Sequence, residues 1–216
     1  MKRTLLVYSC NHTLQLKTGA AIGACSQAGA AIVEQAGTSD VAVARNAALT
    51  MACAVLDQGH HDVVLMVDAD MGFTLQQAQC IVDHVRKTGV AASGCYIVGS
   101  ENKARLAATP YQNGRWLTGL GFVAIPAAML LKLRELSPKF KCAEGELHEF
   151  TSSGVTISTE GERIWITEDT RLTSRLGGVE LLPMAIGHIK TAMMMPGTEA
   201  NLERVIAEHT TPLKTA

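Results

Sequence analysis

Apolar residues along this chain fall into short continuous runs that alternate with longer runs at helical spacing. Residues 5–10 (LLVYSC), 31–35 (AIVEQ) and 63–67 (VVLMV) read as strands. The third is β-branched and apolar throughout, as a strand covered on both faces should be. Helix patterns lie between them. One runs from a cap at Thr13 to about Ala28, where Gly29 stops it. A second follows the cap candidates Thr38, Ser39 and Asp40 and ends at Gly59. Thr74 and Gln77 form a capping box for a third, which Gly89 stops. Residues 90–98 and 120–125 predict further strands, and Pro126 suits the first turn of a helix to about Leu136.

This alternation predicts a three-layer α/β/α sandwich around a mostly parallel mixed sheet. The pattern weakens over 137–166, where Ser, Thr, Gly and Glu dominate and a hairpin through 155–157 and 163–166 is expected. A helix then starts near Glu168, a short strand follows at 184–188, and Pro196-Gly197 precedes a helix at 199–208. The division expected is one domain over 1–195 and a C-terminal helix and tail over 196–216.

Composition narrows the class. The 216 residues are 47% hydrophobic and 18% charged, which excludes a disordered chain. Nineteen Lys and Arg against 20 Asp and Glu disfavour a generic nucleic-acid coat, and 4% aromatics disfavour a stacking platform for single strands. The six cysteines, at 10, 25, 53, 80, 95 and 142, form no C-x-x-C pair and read as buried thiols in a reducing compartment. The longest apolar stretch, 122–131, contains Pro126 and falls short of the ~20 residues that span a bilayer. A soluble, cytoplasmic protein without a transmembrane segment is expected.

Candidate chemistry gathers at a few points. There is no P-loop, and Gly19 and Gly23 do not make a dinucleotide fingerprint. Asp68-Ala69-Asp70 ends the clearest strand, at the sheet edge where α/β proteins bind ligands. Paired hard oxygens there suit Mg²⁺ or Mn²⁺, though such acids also cap turns. Arg45, mid-helix on an apolar pattern, could reach a phosphate or base, or snorkel to solvent. Glu168-Asp169 could supply a general base or complement a helix dipole. His188, after an apolar run, could be a metal ligand or a structural imidazole. His60-His61-Asp62 sits at the opposite end of its strand from Asp68 and reads as surface.

The order ARN…VVLMVDADMGF…TGLGFVAIP…EDT…IGH resembles the GT-A fold glycosyltransferases, specifically the family-2-like, Mn²⁺-using kind with a D-x-D motif. The likeness runs from the first strand through His188. It implies transfer of a sugar from a nucleoside-diphosphate sugar, a UDP-sugar favoured, to an acceptor hydroxyl. It implies metal ligation by Asp70 and His188, with Asp68 on the metal or the donor ribose. Arg45 would lie near the nucleotide, Ser9, Cys10 and Asn11 would frame the base, and Glu34 would stand at the neighbouring strand end. Gly119 and Gly121 would let backbone approach the donor sugar or acceptor. Asp169 would be the base, with Glu168 beside it.

The chain departs from many relatives in Ser9-Cys10-Asn11, where they carry Pro, and in Thr170-Arg171-Leu172 after the acid pair. The acceptor is left open among a glycan, a protein, a lipid head group and a modified base in DNA, as in phage enzymes of this look. Lys2, Arg3, Arg86, Lys87, Arg115, Lys132, Arg134, Lys139 and Lys141 are candidates for a polymer surface, or for ordinary solvated faces. A homo-oligomer is compatible with the sequence. Two other readings are a sugar-nucleotide nucleotidyltransferase, although Cys10-Asn11-His12-Thr13-Leu14 is no Gly-rich basic loop, and a non-catalytic protein on the same scaffold.

Overall fold

The computed structural model describes residues 1–10, 14–38, 40–98, 105–157, 161–189 and the backbone of 193–194. Six strands form the central sheet: β1 (Thr4–Cys10), β2 (Ala31–Ala36), β3 (Val63–Asp68), β4 (Ala92–Cys95), β5 (Phe122–Pro126) and β6 (Glu180–Ala185). Their order is β6-β4-β5-β3-β1-β2. Five run the same way and β5 alone runs against them, so the sheet is mixed and mostly parallel.

Strand periodicity divides the core in two. Leu5, Val7, Val64 and Met66 face one side of the sheet, and Leu6, Tyr8, Val63, Leu65 and Val67 face the other. The first side is covered by α2 (Val41–Leu56) and α4 (Ala127–Glu135). The buried face of α2 is rich in alanine (Ala44, Ala47, Ala48, Ala52), so this helix sits close to the sheet. The second side is covered by α1 (Leu16–Gln27) and α3 (Leu75–Thr88). In α3 the buried residues Ala78, Ile81, Val82 and Val85 follow the i, i+3, i+4, i+7 spacing of one face. The expected three-layer sandwich is the observed one.

The chain punctuation is chemical. Asp40 Oδ1 accepts from Val43 N at 2.9 Å to cap α2. The Thr74–Gln77 capping box closes reciprocally at 3.2 and 2.8 Å, and Gly89 ends α3 in the left-handed region at φ 69°. Helix α1 is different: Gln15 is its N-cap, without a side-chain bond, and Thr13 lies outside the described residues. Pro126 is likewise the N-cap of α4 rather than a first-turn residue, because it is still paired with Val63 at the end of β5.

Three regions differ from the pattern reading. The strand expected over 90–98 breaks at Tyr96, whose carbonyl accepts from Ala107 N, so Ile97–Val98 leaves the sheet to pair with Arg105–Leu106. The weak region holds a further hairpin, Lys139–Cys142 with Gly145–His148, besides the expected one of Gly154–Ile157 with Arg163–Ile166. The strand expected over 184–188 is two elements. β6 pairs with β4, and Gly187–Ile189 turns away to pair with Met71–Gly72. The expected C-terminal helix at 199–208 lies outside the described residues. Among the described residues no helix is long and apolar enough to cross a membrane.

The cysteines carry no disulfide; Cys25, Cys53 and Cys95 are buried as expected, whereas Cys80 is exposed. Much of the expected basic surface is offset by acids. Arg3 and Arg86 share Asp62, Arg134 pairs with Asp57, Arg115 with Glu180 and Lys139 with Glu146.

Candidate active site

The parallel strands β1, β2 and β3 bring Cys10, Ala36 and Asp68 to one edge of the sheet, with Ser9 in register with both Gln35 and Asp68. Asn11 lies outside the described residues. Cys10 Sγ stands 3.8 Å from Glu34 Oε1, so the two strand ends do meet. Burial, and then Glu34, push the Cys10 thiol up from its usual range, so it stays protonated.

Arg45 is the centre of the edge. It comes from the face of α2 that packs on the sheet, and its side chain is 6% exposed. Its Nη2 donates to Asp68 Oδ2 at 2.9 Å, and its Nη1 donates to Glu168 Oε1 at 2.8 Å and to Asp169 Oδ1. Burial alone would lower its pKa, but Asp68, Asp169 and Glu168 together outweigh that and hold it above its ordinary value. Neither snorkelling nor an open phosphate contact describes this residue. It is the buried cation that gathers three acids from β3 and from α5 (Glu168–Arg175). One guanidinium against three carboxylates leaves an excess of negative charge, which a proton or a further cation would relieve.

The two acids of α5 are held differently. Glu168 has both oxygens occupied: Oε1 by Arg45 and Oε2 by Ser153 Oγ at 2.9 Å, while Ser153 Oγ accepts from Glu168 N at 3.1 Å. Asp169 takes both Arg45 and Leu120 N (3.3 Å) on Oδ1, and its Oδ2 makes no hydrogen bond among the described residues. Burial is the main cause that pushes Asp169 up to about 6; Arg45 opposes it, and Glu168 and Asp68 add to it. A carboxyl with one free oxygen and a pKa near the working range has the properties of a general base.

A second pair stands beside this node. Asp70 lies in the turn after β3, and Gly187–Ile189 is sewn to it by Ile189 N donating to Asp70 O at 2.7 Å. That places His188 Nε2 3.1 Å from Asp70 Oδ2, with Nδ1 3.2 Å from the carbonyl of Ile97. A carbonyl only accepts, so the Nδ1 contact is an N–H donation, and Nε2 faces the carboxylate, as a donor when the ring is protonated and as a lone pair when it is neutral. The expected trio of Asp68, Asp70 and His188 is thus divided: Asp70 and His188 meet, and Asp68 goes to Arg45. Among the described residues no three His, Cys, Asp or Glu side chains converge as a metal cage.

Gly119 and Gly121 have a resident neighbour. A Cβ at Gly119 would fall 2.1 Å from Tyr96 Oη, and one at Gly121 2.9 Å from Met71 Sδ. Tyr96 Oη accepts from Gly121 N at 3.0 Å, and its ring meets His188 edge-on with centroids 5.8 Å apart. Burial, then Asp68 and Asp169, raise the phenol well above its ordinary value. The space that the sequence pattern assigns to donor or acceptor beside these glycines is filled by Tyr96.

Asn46 is the other residue that sequence reasoning passed over, although it follows Arg45 directly. Its Oδ1 accepts from Phe150 N (2.9 Å) and Thr151 N (3.0 Å), and its Nδ2 donates to Thr151 O at 2.8 Å. Thr151 Oγ1 in turn donates to the carbonyl of Glu168. One helix therefore aims Arg45 at the acids and clamps, through Asn46, the loop that carries Ser153. A cavity of about 680 Å³ opens there, between Val43, Asn46, Phe140, Thr151, Ser153 and Glu168.

No protein-family description and no curated protein sequence matches the chain. Solved structures do. A197 from STIV superposes with a TM-score of 0.53 at 18% identity, covering 87% of this chain and 86% of that one. 4-Diphosphocytidyl-2C-methyl-D-erythritol synthase from Anaerococcus prevotii gives a TM-score of 0.46 at 9% identity, over 96% of this chain and 98% of that one. CMP:2-keto-3-deoxy-manno-octonic acid synthetase, complexed with CTP, gives 0.45 at 12% identity, over 95% and 98%. The likeness to A197 is one of fold.

Proposed function

We propose that this protein is a metal-dependent glycosyltransferase that moves a sugar from a nucleoside-diphosphate sugar, a UDP-sugar favoured, to an acceptor hydroxyl. The observation that carries this reading is the unequal holding of the two acids on α5. Glu168 is saturated by Arg45 and Ser153, whereas Asp169 keeps Oδ2 free and is pushed up to about 6. In the transfer, the acceptor oxygen bonds the anomeric carbon and its proton passes to Asp169 Oδ2. The bond from that carbon to the diphosphate oxygen breaks, and its electron pair leaves on the diphosphate.

The donor set at Asp70 and His188 fits a divalent ion. It offers one hard oxygen and one imidazole nitrogen, and Ile97 fixes the ring through Nδ1 as carbonyls do for ligating histidines. A bound Mn²⁺ or Mg²⁺ would offset the charge on the departing diphosphate. With two protein ligands at hand among the described residues, further positions would be open to donor phosphates and water. Ser9, Cys10 and Glu34, at the same sheet edge, are the proposed nucleotide contacts.

A nucleotidyltransferase needs no such base, because an attacking phosphate is already an anion. A non-catalytic protein gains nothing from a buried acid with a free oxygen. The test is a thermal-shift panel of UDP-, GDP-, CDP- and dTDP-sugars with and without Mn²⁺. The right donor stabilises by about 2.7 kcal/mol at 100 times its Kd. Absence of any shift across the panel removes the proposal.

A further inference from the structure

Resting on the transferase reading above, we infer that the acceptor is a small molecule of monosaccharide size carrying an oxyanion, and that Arg105 holds that oxyanion. The ground is a second cavity, which shares no described lining residue with the one at Glu168. It measures about 290 Å³, and its lining includes Tyr96, Arg105, Thr109, Thr118, Asp169 and Thr170. Its walls are the ribbon that leaves the sheet at Tyr96 and the first turn of α5.

Four features give it this chemistry. The first is reach. Asp169, the proposed base, itself lines the cavity, together with its neighbour Thr170 and with Gly119. The second is size. About 290 Å³ is at the lower end of the volumes that small-molecule sites occupy, which suits one sugar-sized unit.

The third is polarity. Thr109, Thr118, Thr167 and Thr170 all contribute to the lining, and the buried Thr118 hydroxyl has no partner among the described residues. A hydroxyl-rich wall suits a polyol. The fourth is charge. Arg105 forms no ion pair with any described residue, in contrast to Arg3, Arg45, Arg86, Arg115 and Arg134, each of which meets an acid. Beside an edge already rich in carboxylates, an uncommitted guanidinium is, among the described lining residues, the one cation that would attract an anion. Its planar fork matches carboxylate and phosphate alike.

The acceptor's hydroxyl then meets Asp169 while its oxyanion meets Arg105. A neutral sugar would satisfy the threonines and leave the arginine unused. Both a phosphate monoester and a uronic carboxylate have the required chemistry, and the experiment separates them.

The test is calorimetric titration of the full chain, saturated with UDP and Mn²⁺, with glucose 6-phosphate, glucuronate and glucose, each repeated on Arg105→Ala and Arg105→Lys. At least one of the two anions should bind, glucose at least tenfold more weakly, and Arg105→Ala should lose at least tenfold for the anion. Arg105→Lys, a point charge without the fork, should recover part of that loss. Which anion binds identifies the source of the oxyanion. Glucose binding as tightly as the anions, no binding by either anion, or anion affinity unchanged in Arg105→Ala overturns the inference. The preceding UDP titration stands apart: its failure in the wild type counts against the transferase reading, whereas failure of the sugar titrations alone counts against Arg105. Unchanged melting temperatures of the variants establish that they are folded.

Discussion

The imidazole of His188 meets Asp70 Oδ2 through Nε2 at 3.1 Å while its Nδ1 is tied to the carbonyl of Ile97 at 3.2 Å. Two acceptors face each other unless a proton or a metal ion lies between them. We therefore expect Mn²⁺ to bind the wild-type chain in the presence of UDP, as read by calorimetry or by the manganese paramagnetic signal. Asp70→Ala and His188→Ala should each weaken binding by at least tenfold. Chelation should abolish UDP binding, and retention of metal-dependent UDP binding in both folded variants would remove the ligand assignment.

Arg45→Ala leaves Asp68, Glu168 and Asp169 facing one another in a half-buried site. Removing one partner of a buried charge cluster costs about 3–5 kcal/mol. The sign with pH follows from the freed acids. Without the guanidinium their ionised forms are disfavoured in the fold, so the variant should recover stability as pH falls and they take up protons. Urea unfolding at pH 7.5 and at pH 5 checks this: the gap to wild type should narrow at the lower pH. Arg45→Lys should remain deficient, because an ammonium cannot present two nitrogens to three acids as the fork does.

How much of this was legible in the sequence depends on the range of the interaction. Val63 to Val67 declared a strand buried on both faces, and Thr74 with Gln77 declared a helix start, because both signals are local. Asp68, Asp70, Asp169 and His188 could be flagged as chemistry-bearing types in a suggestive order. Their partnerships could not. Arg45 reaches Glu168 across 123 positions, and His188 reaches Asp70 across 118. No periodicity encodes which acid an arginine selects. Tyr96 gave no signal at all, since a lone aromatic at a strand end does not announce that two glycines downstream exist to admit its ring.

Gly119→Ala tests that packing. The new methyl would stand 2.1 Å from Tyr96 Oη, far inside contact distance, and the phenol is buried and cannot swing into solvent. Overpacking of this kind costs about 1–3 kcal/mol. Displacing Tyr96 also disturbs Gly121 and the face of His188. A drop in melting temperature with a weaker metal response is therefore expected. Tyr96→Phe combined with Gly119→Ala should restore part of the lost stability, because it removes the oxygen that clashes.

Asp169→Asn separates stability from turnover. The wild-type carboxyl is pushed up to about 6 mainly by burial, so its ionised form is disfavoured in the fold. Below pH 4 the group is protonated in both folded and unfolded chains and costs nothing. Between pH 4 and 6 the unfolded chain gives up its proton first, so folded wild type loses stability as pH rises, and above 6 the loss is complete. Asparagine keeps an Oδ1 for Arg45 and Leu120 but carries no charge. Its melting temperature should therefore exceed that of wild type at pH 7.5 and converge with it at pH 4. The gain is bounded at about 3 kcal/mol for a shift of this size. Turnover should move the other way. Wild-type kcat/KM should rise through pH about 6 as Asp169 ionises, and the variant should bind UDP with Mn²⁺ yet transfer no sugar. A variant that is both active and no more stable than wild type at pH 7.5 would show that Asp169 is neither strained nor the base.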